Sequence, residues 1–283
     1  MPLNSTSATS LPPQKLMERC CRTPWVSYLP PFRMAPGVYY VSGNDWVACY
    51  LIDTGAGLIL IDTAMHETCY LMLECIRSLG YDPMDIKKIL LTHAHADHIG
   101  AARTMKELTG ARVYLGERDL FMIHERKDLI CSDGYTCGDI EPDEIYLDDK
   151  PIVQGNVSVR TISTPGHTPG CTSMIFDVKG KDGRIYTCGI HGGVGLNTLS
   201  REFLEQNGLP LSLQKEFCES LRMMDRLHVD ICLPSHTNQV GIIPLIGEIT
   251  DTHNPFVDES IWHELMHERL DRMEALIRSV PLL

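Results

Sequence analysis

Short apolar runs separated by turn-forming residues predict three successive β-strands in the first quarter of the chain. The runs occupy residues 37–41, 47–52 and 58–61, and polar or glycine-rich segments at 42–45 and 54–57 separate them. Runs of this length bounded by Gly, Asn, Asp and Ser are typical of strands joined by tight turns. The pattern therefore predicts a β-meander.

After the meander the apolar residues change to the spacing of amphipathic helices. Residues 66–79 and 97–109 carry apolar residues at helical spacing, and each segment is followed by a glycine. Glycine commonly ends a helix because it adopts the left-handed conformation without steric cost. The short apolar segments 88–91 and 112–115 predict strands that alternate with these helices.

The second half of the chain repeats the mixture of strands and helices. Strands are predicted at 157–162, 172–178, 184–188 and 230–233, and helices at 212–227 and 258–278. A polar, turn-rich stretch at 124–151 predicts a loop between the two halves. Strands come in runs, and helices occur in both halves. This pattern favours sheets packed between layers of helices over a doubly wound sheet in which single strands and helices alternate.

The composition is that of an ordinary globular protein. The chain has 283 residues, 43% of them hydrophobic and 22% charged, which is ample for a sizeable core. We expect residues 1–24 to form a flexible lead-in and residues 25–283 to form a single domain. The formal net charge of −12, without clusters of Lys and Arg, disfavours nucleic acid and anionic membranes as partners. A small-molecule substrate is expected instead, and the sequence leaves the oligomeric state open.

The N-terminus and the cysteines both bear on the cellular compartment. The first ten residues lack the positive charge and the apolar segment of a secretory signal, and the apolar run 58–61 is too short to span a membrane. The 11 cysteines include no CxxC pair, which indicates buried free thiols in a reducing cytoplasm. The alternative is a disulfide, Cys131/Cys137 or Cys218/Cys232. We therefore expect a cytoplasmic protein, or a periplasmic or secreted one if the native N-terminus differs.

The segment His93-Ala94-His95-Ala96-Asp97-His98 places four metal-binding side chains directly after a predicted strand. Histidines two positions apart cannot share a helix face, but a tight loop can direct both imidazoles at one ion. Asp97 and His98 open the following helix, where a carboxylate is stabilised near the N-terminus. Nitrogen ligands with one carboxylate oxygen suit Zn²⁺. Four ligands within six residues are more naturally divided between two adjacent ions than placed around one.

This segment resembles the His-x-His-x-Asp-His signature of the metallo-β-lactamase superfamily, and other markers of that superfamily follow. Asp62 ends an early strand, His167 lies in a Thr-Pro-Gly-His loop, and His236 follows a late strand. The chain is most similar, over about residues 25–280, to the third subclass of class B β-lactamases. That likeness rests on residues 31–35, 164–173 and 253–258.

The resemblance implies an α/β fold, the four-layer αββα sandwich, with a two-zinc site at one edge of the sheets. The implied ligands are His93, His95 and His167 for the first zinc and Asp97, His98 and His236 for the second. Asp97 also orients the zinc-bound hydroxide that opens the amide of a β-lactam ring, and Asp62 supports a ligand histidine by hydrogen bonding. The implied function is a zinc-dependent β-lactamase, an enzyme of antibiotic resistance.

One position departs from that subclass. Lactonases and glyoxalase II-like thioesterases carry a metal-bridging Asp in a Gly-Asp motif after a strand, whereas this chain has Gly189-Ile190-His191. The β-lactamase subclass usually has a Ser there. Ile190 and His191 are therefore predicted substrate contacts, with a satisfied structural histidine as the alternative for His191. Trp46, at the tip of a turn, is a third predicted substrate contact that covers the site; the alternative is a semi-exposed aromatic on a hairpin.

Other functional classes agree less well with the sequence. His263-Glu264-Leu265-Met266-His267 matches the H-E-x-x-H motif of zinc proteases, but no later histidine supplies a third ligand, so a solvated helix face is expected. Nucleic-acid-processing relatives carry large insertions and basic surfaces, and non-catalytic relatives lose ligands. The alternative to a β-lactamase is a cytosolic dizinc hydrolase of another small ester, lactone or thioester, which Ile190 and the N-terminal residues favour.

Overall fold

The computed structural model describes residues 11–130, 137, 139–147, 149–250 and 252–279, and these residues form two β-sheets covered by helices. The first sheet has its strands in chain order, and its first half is the predicted antiparallel meander, preceded by one further strand. These strands are β1 (Phe32–Ala35), β2 (Val38–Tyr40), β3 (Tyr50–Asp53) and β4 (Leu58–Ile61).

The second half of this sheet is parallel, and helices connect its strands. The strands are β5 (Ile86–Leu90), β6 (Arg112–Leu115) and β7 (Glu144–Ile145). The connecting helices are α2 (Cys69–Ser78), α3 (Ala96–Ile99), α4 (Ala102–Thr109) and α5 (Leu120–His124), while α1 (Pro13–Arg22) precedes the sheet.

The second sheet has the strand order β12-β11-β10-β9-β8, antiparallel except for the β11–β12 pair. Its strands are β8 (Ile152–Gln154), β9 (Val157–Ser163), β10 (Thr172–Lys179), β11 (Ile185–Ile190) and β12 (Ile231–Cys232). The helices of this half are α6 (Arg201–Gln206), α7 (Ser212–Met224), α8 (Ile242–Leu245) and α9 (Glu259–Arg278).

Three apolar cores show that the molecule has four layers. Strand β4 is buried on both faces: Leu58 and Leu60 pack towards the helices, and Ile59 and Ile61 pack towards the second sheet. Successive side chains of a strand point to opposite faces, so a continuous apolar run is what a central strand requires. A third core joins the second sheet to α7 and α9. The predicted αββα sandwich is therefore confirmed.

Several short elements and one break differ from the prediction. The strands β1 and β8 and the helices α5, α6 and α8 are not predicted, because segments of three to six residues carry too little periodicity. The helix predicted over 97–109 is divided at Gly100, where an added Cβ would lie 2.5 Å from the Ala96 carbonyl oxygen and 2.7 Å from the His66 nitrogen. This close backbone contact packs the end of α3 against the segment after β4.

Part of the predicted flexible lead-in is helical. Leu16 and Cys20, four positions apart on Pro13–Arg22, are fully buried in the core between the first sheet and its helices. Packing of one apolar face stabilises a short helix that its local sequence does not predict. The prediction for residues 1–24 is therefore wrong over this helix, and residues 1–10 lie outside the described part of the chain.

Neither cysteine of the Cys218/Cys232 pair forms a disulfide, so that alternative is wrong; Cys131, in the other pair, lies outside the described residues. Burial raises the pKa of the Cys232 thiol to about 12, which keeps it protonated and unreactive. Among the residues that the structure describes, no helix combines the length and the apolar character needed to cross a bilayer.

Candidate metal centre

The six predicted ligand residues meet at one edge of the two sheets. The segment 91–95, which carries His93 and His95, leads from β5 directly into α3, which carries Asp97 and His98. His167 lies in the loop between β9 and β10, and His236 follows β12. Because these loops leave both sheets at the same edge, side chains far apart in sequence come into contact.

Three histidines form the first group, which we call the three-histidine group: His93, His95 and His167. Their ligand nitrogens all lie within 4.8 Å of one another. His93 Nδ1 donates to the Gly192 carbonyl at 2.8 Å, and His167 Nδ1 donates to the Gly195 carbonyl at 2.9 Å. These bonds place the proton on Nδ1, which leaves the Nε2 lone pair of both rings available for a metal ion.

The second group, the Asp-His-His group, consists of Asp97, His98 and His236. Their ligand atoms also lie within 4.8 Å of one another. Asp97 Oδ2 is 3.7 Å from His98 Nε2 and 3.6 Å from His236 Nε2, and these two nitrogens are 3.3 Å apart. One carboxylate oxygen and two imidazole nitrogens therefore converge on one point.

Burial controls the protonation of the histidines. It lowers the pKa of His93 and His95 well below the ordinary value, and it lowers the pKa of His167 to about 4 and that of His236 to about 3. These four rings are neutral at pH 7, the state in which imidazole binds metal.

In the remaining two members of the Asp-His-His group, His98 and Asp97, neighbouring charges outweigh the effect of burial on the pKa. Burial acts to lower the pKa of His98, but the nearby carboxylates of Asp97 and Asp62 raise it above the ordinary value. Burial acts to raise the pKa of Asp97, but the surrounding histidines, His98 first, lower it. Asp97 is therefore ionised at neutral pH and offers a charged oxygen ligand.

Asp62 has the supporting position that the sequence predicts. Its Oδ2 accepts from His98 Nδ1 and from Thr92 Oγ1, both at 2.8 Å, and its Oδ1 accepts from the Thr92 backbone N–H at 2.7 Å. Its own backbone is left-handed, with φ of 57°, a conformation that is uncommon outside glycine. Asp62 thus holds the His98 ring with Nε2 directed at the second group.

Asp119 is a supporting residue that the sequence analysis missed. It is fully buried on a 3₁₀ turn after β6. Its Oδ2 accepts from the Ala94 backbone N–H at 2.9 Å and the Thr168 hydroxyl at 2.8 Å, and its Oδ1 accepts from the Gly170 N–H at 2.6 Å. Burial raises its pKa to about 6, against the lowering effect of these bonds. One carboxylate therefore joins the two loops that carry the three-histidine group.

The sequence signal for Asp119 was weak. A single Asp in a turn has no periodicity and no neighbouring ligand residues. The one related signal is Gly170, where an added Cβ would lie 2.4 Å from the Asp119 backbone nitrogen. Glycine is required at position 170 because the backbones of Gly170 and Asp119 are in direct contact. This contact becomes evident only in the folded chain.

Both groups open onto one cavity of about 400 Å³. Five of the six predicted ligand residues line it; among the described residues, His98 is the predicted ligand that lies behind the wall. Trp46 is also in the wall, 6% exposed, with its ring centroid 5.0 Å from that of His236. Trp46 therefore packs against the second group rather than extending from a hairpin into solvent.

The structure does not place Ile190 and His191 as substrate contacts. Ile190 ends β11 and is fully buried in the core between the sheets. His191 is buried beside Phe217, and its Nδ1 accepts from the Gly193 N–H at 3.2 Å. Neither residue lines the cavity, so the structure does not support the predicted contacts. His191 is a buried structural histidine, but its Nε2 has no hydrogen-bond partner among the described residues, so it is satisfied only at Nδ1.

The H-E-x-x-H segment lies outside both groups. His263 and His267 share one face of α9, and Asp225 at the end of α7 accepts from both, at 2.8 Å and 3.0 Å. Within the described part of the chain, neither histidine belongs to a cluster of metal-binding atoms. The two histidines therefore link α9 to the end of α7 through Asp225. The H-E-x-x-H sequence is a chance match to the protease motif.

Replacing both His263 and His267 by alanine is expected to leave the zinc content unchanged and kcat/KM within about twofold of the wild-type value. Exposed ion pairs of this kind contribute roughly 0–1 kcal/mol each, so the free energy of unfolding is expected to fall only slightly. Zinc per chain by plasma mass spectrometry and urea denaturation measure both quantities. Loss of one zinc from the double variant would show that the motif holds a metal.

Comparisons with known proteins point to one family. The model of the metallo-β-lactamase superfamily matches residues 45–181. Among curated proteins, the chain is 32% identical over 135 residues to the uncharacterised protein YobT of Bacillus subtilis (46% of this chain, 56% of YobT). It is 35% identical over 96 residues to Glyoxylase B2 of Dictyostelium discoideum (31% of each chain). It is 31% identical over 110 residues to the N-acyl homoserine lactonase AttM of Rhizobium radiobacter (36% of this chain, 40% of AttM).

The matches to these three curated relatives thus span between about a third and somewhat more than half of their length.

Solved structures are similar over nearly the whole chain. BJP-1, a subclass B3 metallo-β-lactamase of Bradyrhizobium japonicum, has a TM-score of 0.82 at 26% identity, covering 92% of this chain and 97% of BJP-1. Native FEZ-1 metallo-β-lactamase from Legionella gormanii has a TM-score of 0.80 at 25% identity, covering 89% and 97%.

Proposed function

We propose that the chain, which matches the model of the metallo-β-lactamase superfamily over residues 45–181, is a hydrolase of that superfamily and opens the amide bond of β-lactam rings with two zinc ions. The observation that carries the proposal is the division of six ligand side chains into two adjacent groups on the wall of one cavity. The likeness to subclass B3 β-lactamases over about nine-tenths of the chain supports the same substrate class.

The donor atoms fit zinc. His93 Nε2 is buried and has no hydrogen-bond partner among the described residues, as expected for a nitrogen reserved for a metal. Neutral imidazoles with a single carboxylate oxygen are ligands that Zn²⁺ prefers. The three-histidine group would hold one ion and the Asp-His-His group the other. Zinc at such sites supplies a nucleophile from water near neutral pH and polarises the substrate carbonyl.

Hydrogen bonds with other residues of the chain orient three of the metal-binding histidines. Asp62 holds the proton of His98 on Nδ1, and the Gly192 and Gly195 carbonyls do the same for His93 and His167. Fixed tautomers keep the ligand lone pairs directed at the two centres without rearrangement during the reaction. The buried indole of Trp46 excludes water from one side of the second group.

Ile190 bears on the substrate class in two ways: without a bridging Asp at this position a β-lactamase is favoured over a lactonase or thioesterase, whereas without the usual Ser of the β-lactamase subclass another substrate is favoured. It occupies the place where a lactonase or glyoxalase II-like thioesterase carries its bridging Asp, and its side chain is packed in the core. The two groups therefore hold their ligands without a shared carboxylate, as in the β-lactamases that the sequence resembles.

A second candidate is a hydrolase of a small ester, lactone or thioester. The identity to the lactonase AttM and to Glyoxylase B2, although it covers only part of each protein, supports it. Both candidates use the same two groups and differ in the carbonyl compound that enters the cavity.

The test is hydrolysis by purified, zinc-loaded protein of a chromogenic cephalosporin, a carbapenem and an N-acyl homoserine lactone. We expect β-lactam turnover with kcat/KM of roughly 10⁴ M⁻¹s⁻¹ or more, abolished by a chelator and restored by zinc. Chelated protein is the blank, and zinc per chain is measured on the same samples. Turnover of the lactone alone by protein with two zinc ions would replace the first candidate by the second.

A further inference from the structure

His236 differs from other predicted zinc ligands in how its ring is held. In His93, His98 and His167, Nδ1 bonds to a carbonyl or carboxylate oxygen of the chain at 2.8–2.9 Å. In His236, Nδ1 is buried and has no hydrogen-bond partner within the described part of the chain. Among the described residues, packing rather than a hydrogen bond to Nδ1 must therefore orient this ring.

The orientation of the His236 ring decides whether it can serve as a ligand. Its Nε2 lies 3.6 Å from Asp97 Oδ2 and 3.3 Å from His98 Nε2, so this atom faces the Asp-His-His group. A half-turn of the ring about its bond to Cβ would put Cε1 in the place of Nε2 and remove the ligand atom from the group. Ligand histidines are normally held against such rotation by an acceptor at the other ring nitrogen.

The indole of Trp46 packs against the His236 ring. The two ring centroids are 5.0 Å apart, and the ring planes are inclined by 42°. This separation is typical of aromatic pairs that attract each other. On the ligand side, the His98 ring is 5.1 Å away and is itself fixed by Asp62. Because protein interiors are closely packed, the His236 ring can turn only if a neighbouring ring gives way.

The backbones that carry Trp46 and His236 are joined directly. Val47 and His236 form an antiparallel bridge, and the Thr237 N–H donates to the Trp46 carbonyl at 2.8 Å. The Thr237 hydroxyl also donates to the carbonyl of Asp45 at 2.6 Å. The contact between the two rings is therefore fixed by the fold, although the residues are far apart in the chain.

We propose that Trp46 is a positioning residue for the second zinc site. Its indole holds the His236 ring with Nε2 directed at Asp97, in place of a hydrogen bond to Nδ1. Trp46 is 6% exposed, so most of the indole contacts protein, and little of its surface is left for a substrate. The inference rests on the metal-binding part of the proposed function and is independent of the substrate.

The test measures the affinity of each zinc ion in wild type, Trp46→Ala and Trp46→Phe by competition with a chelating dye. In Trp46→Ala we expect the affinity for one ion to fall roughly 10- to 100-fold and that for the other to stay the same. Trp46→Phe keeps an aromatic ring against the imidazole, so a fall of about two- to fivefold is expected. If Trp46→Ala does not fold, Trp46→Phe still tests the inference, and unchanged affinities in it contradict the proposed role.

A double variant identifies which ion is affected. His236→Ala removes one ligand of the second group and is expected to leave one zinc per chain, held by the three-histidine group. Because Trp46 acts through His236, adding Trp46→Ala to this variant is expected to change the affinity for the remaining ion by less than about twofold. A further fall in that affinity would show that Trp46 supports the whole site, and it would overturn the inference.

Trp262→Phe is the matched control for the loss of a buried indole. Trp262 is fully buried in the core between α9, α7 and the second sheet, and its indole N–H donates to the Met224 carbonyl at 2.9 Å. We expect this variant to unfold at a lower urea concentration but to bind both zinc ions with wild-type affinity. If it weakens one zinc ion as much as Trp46→Phe does, the loss reflects general destabilisation and the inference fails.

Failure of the proposed β-lactamase function can be told apart from failure of this inference, because zinc binding is the measured quantity. Wild type that binds two zinc ions but hydrolyses no β-lactam, with the expected loss in Trp46→Ala, would support the inference and reject the substrate. Wild-type zinc affinities in both Trp46 variants would refute the inference and leave the proposed function intact. Wild type that binds a single zinc ion would refute both.

Discussion

Asp97→Ala is expected to release one of the two zinc ions and to lower kcat on β-lactams by on the order of 10²–10³-fold, the loss typical of removing one transition-state stabiliser. Asp97 Oδ2 is the charged ligand atom of the second group, 3.6–3.7 Å from the nitrogens of His236 and His98. Without it two imidazoles remain, which hold Zn²⁺ far more weakly than three ligands. The three-histidine group is left intact, so one zinc per chain is expected to stay.

Zinc per chain after dialysis against a zinc buffer, together with steady-state kinetics, measures this prediction. Asp128→Asn is the matched control, because Asp128 lines the same cavity but is paired with Arg126. We expect this control to keep two zinc ions and turnover within about twofold of wild type. An Asp97→Ala protein with two zinc ions and full activity would show that the second group is assigned wrongly.

Asp119→Ala is expected to lower the free energy of unfolding by about 3–5 kcal/mol, the effect of breaking a buried, hydrogen-bonded charge network. The variant leaves the buried N–H groups of Ala94 and Gly170 and the hydroxyl of Thr168 without their acceptor. It also releases the two loops that carry the three-histidine group from each other. Zinc affinity of that group is therefore expected to fall roughly 10- to 100-fold.

Urea denaturation and competition with a chelating dye measure the two effects of this variant. Asp119→Asn is informative, because one amide oxygen still accepts while its NH₂ faces a donor, so an intermediate loss is expected. Glu117→Gln, an exposed change on the same 3₁₀ turn, is the control and is expected to have no effect beyond about 0.5 kcal/mol. Unaltered stability and zinc affinity in Asp119→Ala would mean that the loops hold their positions without the carboxylate.

Much of the fold follows from local sequence. The alternation of strand and helix spacing predicts most of the longer elements, and residues 112–115 are a strand with the predicted bounds. The apolar run at 58–61 is a strand buried on both faces, because no polar residue interrupts it. Where local signals are weak the sequence prediction fails: Pro13–Arg22 is polar in composition, and its helix is stabilised by contacts of Leu16 and Cys20 with residues far along the chain.

The candidate site likewise combines features that local sequence predicts with features that depend on tertiary packing. Four of its ligand residues lie within 93–98, so their proximity is dictated by covalent connectivity and the turn after a strand. Resemblance to a known family added His167 and His236, and the packing of the two sheets brings them to the same edge. The binding of zinc by these residues stays a prediction, which the measurements of zinc per chain test.

The sequence by itself determined most of the longer strands and helices and the cluster of metal-binding side chains, because each depends on residues close together in the chain, and it determined the acidic charge through its composition. Only the tertiary structure decided that Asp119 joins two loops, that Ile190 and His191 are sealed away from the cavity, and that Trp46 packs against His236. These outcomes depend on which distant surfaces pack together. A single Asp, Ile or Trp carries no periodic signal of its partners, and its role exists only once the sheets and helices are packed.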